Sequence, residues 1–526
     1  MPTAHHDTRR TPTPPLEDPV LTSLWELRTP TSPTDPTDLP SDAGTVVVGG
    51  GLTGLTTALL LAEEGEDVLL LEARHLGAGT TGRSTAKLSL LQGTQFSQVS
   101  RKHGDGVLRQ YAAAHRDAQA WAVDLATTEG VTLEQRDAVT YANGASGLRA
   151  LRREESAVQR SGLTVRRGDA PELPFEVAGA LWMDGQYQVD PLALVAALAR
   201  RARAAGVQVV EGARVTSVSD GTPVRLEVRR ADADAATVRA GRVVVATNMP
   251  MLDRGGFFAR MSPQRSYSIA FELPGRAAAV LPRAMYLAAD QPSRSLREAS
   301  LPDGPPVLLV GGAGHATGRS RPTSDRLGDL RSWTAEHFPG AVEVTAWSAQ
   351  DYAPHHSLPY AGPIVPGNHR ILVAGGFSKW GMTGGIAAAL ALASDLRSDP
   401  QEWRDALRPW SRHELTGLPS SGVINAEVAV AMALGWVAPR STSVDRASAA
   451  PQPDVVRRSR FCGLRRGSGA EGSAVCTHLG GVLTWNDAER SWDCPLHGSR
   501  FDEPGDVLEG PAVRALPTPD AGSPRA

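Results

Sequence analysis

The sequence predicts an α/β nucleotide-binding domain with an antiparallel-sheet subdomain, followed by a small all-β domain built around two cysteines and two histidines. Three observations carry this: a strand–glycine–helix–strand unit near residue 50, alternating apolar segments in mid-chain, and a C-x-H…C-x-x-H pattern near the end. At 526 residues the chain exceeds one ordinary domain, and two or three are expected.

The first unit opens with Val46-Val47-Val48, a β-branched apolar run of the kind buried in parallel sheets. Gly49-Gly50-Gly51-Leu52-Thr53-Gly54 then fits G-x-G-x-x-G. An apolar helix pattern follows to Ala62, Gly65 stands at its stop, and Val68–Leu71 forms a second run closed by Glu72. Gly49 makes the tight turn, Gly51 lets the backbone approach a pyrophosphate, and Gly54 lets helix and strand pack closely. The helix start offers N–H groups and a positive dipole end to phosphate. Glu72 is placed to accept from ribose hydroxyls.

Gly77 to Lys87 (GAGTTGRSTAK) is a small-residue loop rich in backbone and hydroxyl donors, read as a second cofactor contact rather than a solvated turn. From Val99 to Ser161 the pattern is charged and alanine-rich, with helical periodicity and no visible chemistry. Asp190-Pro191 caps a further helix, Val207–Val210 is a strand, and Val243–Val245 is a buried strand returning to the nucleotide sheet. Segments at about 160–190 and 255–350 alternate like antiparallel strands, which suggests a substrate-covering subdomain. Gly312 to Gly318 resembles a second glycine loop, but Pro322 blocks a helix there, so a strand-to-loop turn is expected. Ile371–Ala374 is a core strand leading into Gly375 to Gly385 and an alanine helix, a glycine bend that lets a helix N-terminus approach a flat ligand.

These motifs together resemble the FAD-dependent D-amino-acid oxidase/glycine oxidase superfamily. The carriers are the glycine fingerprint at Gly49, GTTGRSTAK, WSAQDYAPHHSLPYAGP and GGFSKWGMTGG. More narrowly, the chain is similar to a bacterial branch with a C-terminal Rieske domain. The resemblance implies a Rossmann-like FAD domain that holds FAD non-covalently at Gly49, Gly51, Gly54 and Glu72. It implies flavin contacts from Thr81, Gly82, Arg83, Ser84 and Lys87, and from Phe377, Trp380, Gly381, Met382 and Thr383. It also implies oxidation of a C–N bond by hydride transfer to the flavin.

The tail reads Cys476-Thr477-His478 and Cys494-Pro495-Leu496-His497, a C-x-H-x15-C-x2-H pattern. Two cysteines and two histidines allow structural zinc or a Rieske [2Fe–2S] cluster. Each loop supplies one Cys and one His, as a cluster with one thiolate-bound and one imidazole-bound iron needs, and the flanks CTHLGG and CPLHGSRFD resemble Rieske loops. Gly481 and Leu496 stand where respiratory Rieske proteins carry a loop disulfide. Phe501 replaces the family's tyrosine, while Ser499 is retained. Fewer hydrogen bonds to the sulfurs predict a midpoint near the low end of the Rieske range, read by redox titration. Cys462 is read as a spare thiol, and the stretch 455–472 shows no clear strand pattern.

Composition narrows the partners. Net charge is -3, from 54 Lys+Arg against 57 Asp+Glu, so no basic excess invites nucleic acid. The longest apolar run, Val428–Ala438, is too short to span a bilayer, and the first residues lack a signal-peptide core; a cytoplasmic protein without a transmembrane segment is expected. The expected organisation is a disordered leader at 1–42 with a briefly docking island of Leu21, Leu24 and Trp25, an FAD domain at 43–415, a docking helix and linker at 416–455, and a Rieske domain at 456–526. The expected activity is that of an amine or amino-acid dehydrogenase passing flavin electrons to the cluster and on to an external acceptor protein or quinone. The alternative is a reductase component with reversed flow, or an electron carrier or redox sensor fed by an external donor. No catalytic acid or base stands out. Arg265, Tyr267, Tyr286 and Tyr352 are possible substrate contacts, with an ordinary structural role the more economical reading for each, and the doublets His5-His6 and His355-His356 read as incidental.

Overall fold

Val46, Val47 and Val48 are buried because their strand lies at the centre of a mostly parallel sheet. The strand Asp42–Val48 pairs in parallel with Val68–Leu71 on one side and Ala233–Val245 on the other. Gln208–Val210 extends one flank; Ile371–Gly375, then the antiparallel Tyr360–Pro363, extend the other. In register, Val48 faces both Leu71 and Val245, and Val245 faces Val373. The carboxyl ends of four strands therefore share one edge, and the loops after them open a crevice there, the usual ligand position in such sheets. The helices Leu52–Ala62 and Gly381–Arg397 pack on one face through an apolar core that also takes in Asp105–Thr128 and Pro191–Ala204. This computed structural model describes residues 21–29, 38–230, 233–275, 281–301, 304–397, 401–437, 455–457, 464–466 and 472–517.

A second, nine-stranded sheet covers the crevice side. Its centre is Met261–Glu272 between Gly304–Ala316 and Val342–Pro354. All its pairings are antiparallel except that of Met285–Ala288 with Leu133–Ala142. The substrate-side sheet thus reaches beyond the expected segments. Leu133–Ala142 lies within the region read as helical, and Lys87–Leu88 joins as a short edge. Gly130, at φ 68°, turns the chain out of the preceding helix. The strand then pairs along its whole length with Gly179–Val189, a partner that local periodicity does not reveal. Gly312 and Gly314 lie inside the strand Gly304–Ala316, and no helix begins there.

The apolar island of the leader is part of the core. Ser23 and Glu26 form a capping box for the short helix Leu24–Arg28. Leu24 and Trp25 are buried against Leu192 and Trp347, and the Trp25 indole donates to Ser84 O at 2.8 Å. The remainder of the expected leader, with His5 and His6, falls outside the described residues apart from 38–42.

The C-terminal domain is a four-stranded antiparallel sheet, Thr484–Asn486, Ser491–Asp493, Arg500–Phe501 and Val507–Glu509, around Trp485, Trp492 and Phe501. Of the segment before it, Val455–Arg457 and Leu464–Arg466 pair with each other, and Cys462 falls outside the described residues. The docking helix runs Glu414–Val437, two residues ahead of the expected segment at 416–455. Its inner face sets Val428, Ala431 and Met432 on the C-terminal core, while Leu415, Leu418, Val423, Val430 and Leu434 are exposed. At 24 residues it is long and apolar enough to cross a bilayer by length and composition alone. Asn425 and Glu427 interrupt the apolar run but not the helix.

Candidate functional site

The crevice is lined from three directions. From the glycine unit come Gly49, Gly51 and Glu72, from the following loop Thr81 and Ser84, and from the last core helix and the bend before it Phe377, Gly381 and Met382. Gly49 has φ 111°, and a Cβ there would lie 2.7 Å from Ala246 O. Gly54 stands behind the lining: a Cβ on it would meet Gly49 O at 1.9 Å, so only glycine allows helix and turn to close. Gly51 is the N-cap of the helix Leu52–Ala62 and brings no side chain of its own; Leu52 N donates to Thr81 Oγ1 at 3.2 Å, and the helix N-terminus faces the crevice with its positive dipole end. Glu72 accepts from Gly50 N at 2.7 Å and from Arg74 N at 2.8 Å, so its carboxylate also braces the glycine turn. These features, a helix N-terminus at the crevice, a glycine cradle and a terminal acid, fit a dinucleotide.

Some expected contacts turn away from the groove. Gly82 packs against Gly77 O and Leu192, and Arg83 points to Glu26 at 3.8 Å. Trp380 and Thr383 are absent from the lining. The Thr383 hydroxyl lies 2.7 Å from Nδ1 of His115, which burial drives well down to about 3 and so keeps neutral. Lys87 reaches Ser295 Oγ at 2.6 Å and Tyr286 O at 3.0 Å. Helix and loop periodicity does not say which way these side chains point; the second sheet and the long helix at Asp105–Thr128 decide it.

Residues not expected as contacts also line the crevice: Arg74, Arg214, Asn248, Asp351 and Lys379. Asn248 bonds Asp351 at 2.7 Å and accepts from Gly376 N at 2.9 Å. Ser378 and Lys379 both hold left-handed backbone (φ 51° and 72°), a local distortion of the kind that clusters at functional loops. Their only sequence signal is position inside the glycine bend.

Burial first, then the Arg297 charge, bring the Lys87 ammonium from 10.5 down to about 7. A lysine with a depressed folded value binds fewer protons folded than unfolded between those limits. Its burial penalty is full below about 7 and relieved as pH rises toward 10.5. Lys87→Met is therefore expected to flatten the rise of unfolding free energy between pH 7 and 10 by on the order of 2–4 kcal/mol. Chemical denaturation of both proteins across that range measures it; parallel pH profiles would refute it.

At the chain's end the four C-x-H…C-x-x-H residues meet. The thiols of Cys476 and Cys494 are within hydrogen-bonding reach of each other, and the imidazoles of His478 and His497 lie 5.2 Å apart at 82°. Nδ1 of His497 is buried without a partner. Burial first, then the His478 charge, hold that ring neutral at about 4. His478 bonds Asp253 Oδ1 through Nε2 at 2.7 Å, which leaves its Nδ1 free. Two sulfurs and two imidazole rings converge, a donor set that fits a [2Fe–2S] centre with one thiolate-bound and one imidazole-bound iron. Gly481 and Leu496 touch: a Cβ on Gly481 would lie 2.7 Å from the Leu496 side chain. An apolar contact occupies the place of a cross-link. Ser499 bonds Ala512 N and the Cys476 sulfur.

The two sites share a boundary. Leu508 to Gly510, Ala512 and Val513 of the C-terminal domain line the same crevice as Glu72 and Arg74. Arg265, fully buried, reaches across to Glu489 at 2.8 Å and Glu509 at 2.7 Å, and Arg500 binds the same carboxylates. Gln350 donates to Gly498 O at 2.7 Å and Arg319 to Pro495 O at 2.8 Å. Arg265 is thus an interdomain anchor, not a substrate contact or a surface group. Tyr267, Tyr286 and Tyr352 are buried and bonded to His315, Glu172 and Gln350. His355 and His356 are not incidental: with Glu414 they form a cluster whose ligating atoms lie within 4.8 Å, beside Arg260 at 3.3 Å from Glu414.

Fold and sites define a dinucleotide-dependent oxidoreductase with an iron–sulfur centre on the same chain. The profile of the family described as FAD dependent oxidoreductase matches residues 45–394, and that of the Rieske [2Fe-2S] domain matches 458–520. The chain belongs to the FAD dependent oxidoreductase family and ends in a Rieske domain. It is 30% identical over 497 residues to the Rieske 2Fe-2S iron-sulfur protein YhfW of Bacillus subtilis (strain 168), covering 91% of this chain and 95% of that one. Glycine oxidase from Geobacillus kaustophilus shares the fold at TM-score 0.57 and 20% identity, over 69% of this chain and 96% of that one. An L-amino acid deaminase from Proteus vulgaris does so at TM-score 0.59 and 15% identity, over 75% and 100%. The cofactors are FAD and a [2Fe–2S] cluster, and the chemistry is that of an FAD-dependent oxidoreductase.

Proposed function

We propose that the chain is an amine or amino-acid dehydrogenase whose electrons leave through the Rieske centre to an external one-electron acceptor, a protein or quinone. The single observation that supports it most is the shared crevice, in which the loop from Leu508 to Val513 lies against the dinucleotide-binding groove. When bound, FAD takes a hydride equivalent from a C–N bond, and the [2Fe–2S] cluster accepts electrons singly. The balance is an amine losing one hydride and one proton to give an imine, with two electrons leaving one at a time. Gly49, Gly51, Glu72, Thr81 and Ser84 are the proposed dinucleotide contacts, with Phe377, Gly381 and Met382 at the other end. Cys476, His478, Cys494 and His497 are the proposed cluster ligands. Asp351 of the second sheet lines the crevice beside the dinucleotide contacts. The folds shared with a glycine oxidase and an L-amino acid deaminase support an amino-acid substrate.

Anaerobic addition of amino acids and amines to the full-length protein tests this. Flavin bleaching followed by the reduced-cluster EPR signal is the expected result. A signal obtained only with an added external reductase would replace it with the reverse-flow reading.

A further inference from the structure

The loop after the strand Ala233–Val245 touches both sites. Its first residues, Ala246, Thr247, Asn248 and Met251, line the dinucleotide crevice. Asp253 accepts from His478 Nε2 at 2.7 Å. The Phe258 ring stands edge-on to both cluster-side imidazoles, 5.8 Å from His478 and 5.1 Å from His497.

The loop is held at both ends. Asn248 is tied to Asp351 and to Gly376 N, on the bend that approaches the flavin. Arg254 bonds Asp220 and Val218 O. Just beyond Arg254, Gly255 and Gly256 take left-handed backbone (φ 78° and 59°), the turn that lets Asp253 and Phe258 face the same centre. A Cβ on Gly255 would meet Ile364 O at 2.3 Å.

We propose that Asp253 and Phe258 are positioning residues that lock the imidazole side of the Cys476/His478/Cys494/His497 centre onto the flavin-binding domain, reserving that side for electrons arriving from within the chain. The inference rests on the proposed flavin-to-cluster direction. The Asp253 carboxylate is more than half exposed, so its bond adds little stability. Its effect lies in orientation and charge. Accepting from Nε2 fixes the His478 tautomer with Nδ1 toward the metal, and a negative charge beside the ligand favours the more oxidised, more positive cluster. An external acceptor must then approach the centre from another side.

The test uses the full-length holoprotein without substrate. Bound flavin is photoreduced anaerobically with EDTA, and cluster reduction is followed by EPR. Asp253→Ala and Phe258→Leu are expected to retain flavin and cluster but to slow cluster reduction at least about tenfold through misplacement of the centre. Asp253→Asn keeps an acceptor oxygen without the charge. It is expected to restore the rate while shifting the cluster midpoint upward. Wild-type rates in both truncation variants, with an unshifted midpoint in Asp253→Asn, would overturn the proposal. A wild-type cluster that stays oxidised after flavin reduction would instead sink the relay, and the Asp253→Asn midpoint would still decide the positioning role.

Discussion

Arg265→Met releases the C-terminal domain from the flavin-binding domain. Arg265 is fully buried on the strand Met261–Glu272, where it and Arg500 share the carboxylates Glu489 and Glu509, with Asp493 bound to Arg500 as well. Removing one cation leaves three acids facing one guanidinium in a space with little water. Breaking a buried pair by deleting one partner costs about 3–5 kcal/mol, because the stranded charge is the penalty. Burial alone would raise Glu509; Arg500 and Arg265 hold it instead at about 2. A depressed carboxylate contributes stability above its unfolded value near 4.5, lost as pH falls toward about 2. The variant loses part of that contribution at neutral pH. Calorimetry is expected to show the cluster-bearing unit melting earlier than in wild type, with faster proteolysis around residue 440. Arg265→Lys, with one donor head in place of a fork, recovers only part. Coincident wild-type and Arg265→Met melting curves would remove the interdomain anchor.

Gly54→Ala yields protein depleted of FAD. The added methyl would lie 1.9 Å from Gly49 O, a distance no packing adjustment of side chains relieves because the obstacle is backbone. The helix Leu52–Ala62 must shift away from the turn, and its N-terminal N–H groups leave the phosphate position. Displacement of that order is expected to weaken FAD binding at least about a hundredfold, close to 3 kcal/mol. Gly65→Ala is the control. Gly65 has φ 83° and open space around it, so alanine there strains the turn without approaching the crevice. Equal flavin content in Gly54→Ala and wild type would contradict the assigned packing role.

Much of the site is legible because its chemistry is local in sequence. A glycine turn, helix and acid span only Gly49 to Glu72, and each cluster loop holds its Cys and His within four residues. What local pattern misses is direction and partnership. Thr383 sits on the expected helix but points to His115, because a buried imidazole from another helix competes for its hydroxyl. Trp25 reads as a loose island in a polar leader, yet a hydrogen bond to Ser84 and contact with Trp347 draw it into the core. The strand Leu133–Ala142 lacks a period of its own; its partner supplies the preference.

By itself the sequence determined a dinucleotide site and a centre of two cysteines and two histidines, because ligand type and spacing and the glycine fingerprint are properties of short contiguous stretches; FAD and the [2Fe–2S] cluster followed from the family those stretches resemble. Only the tertiary structure decided how the two centres meet. Arg265, Asp253 and Phe258 lie more than 200 residues from the side chains they touch. Their role arises from charge and ring complementarity across an interface, which no spacing along one chain encodes.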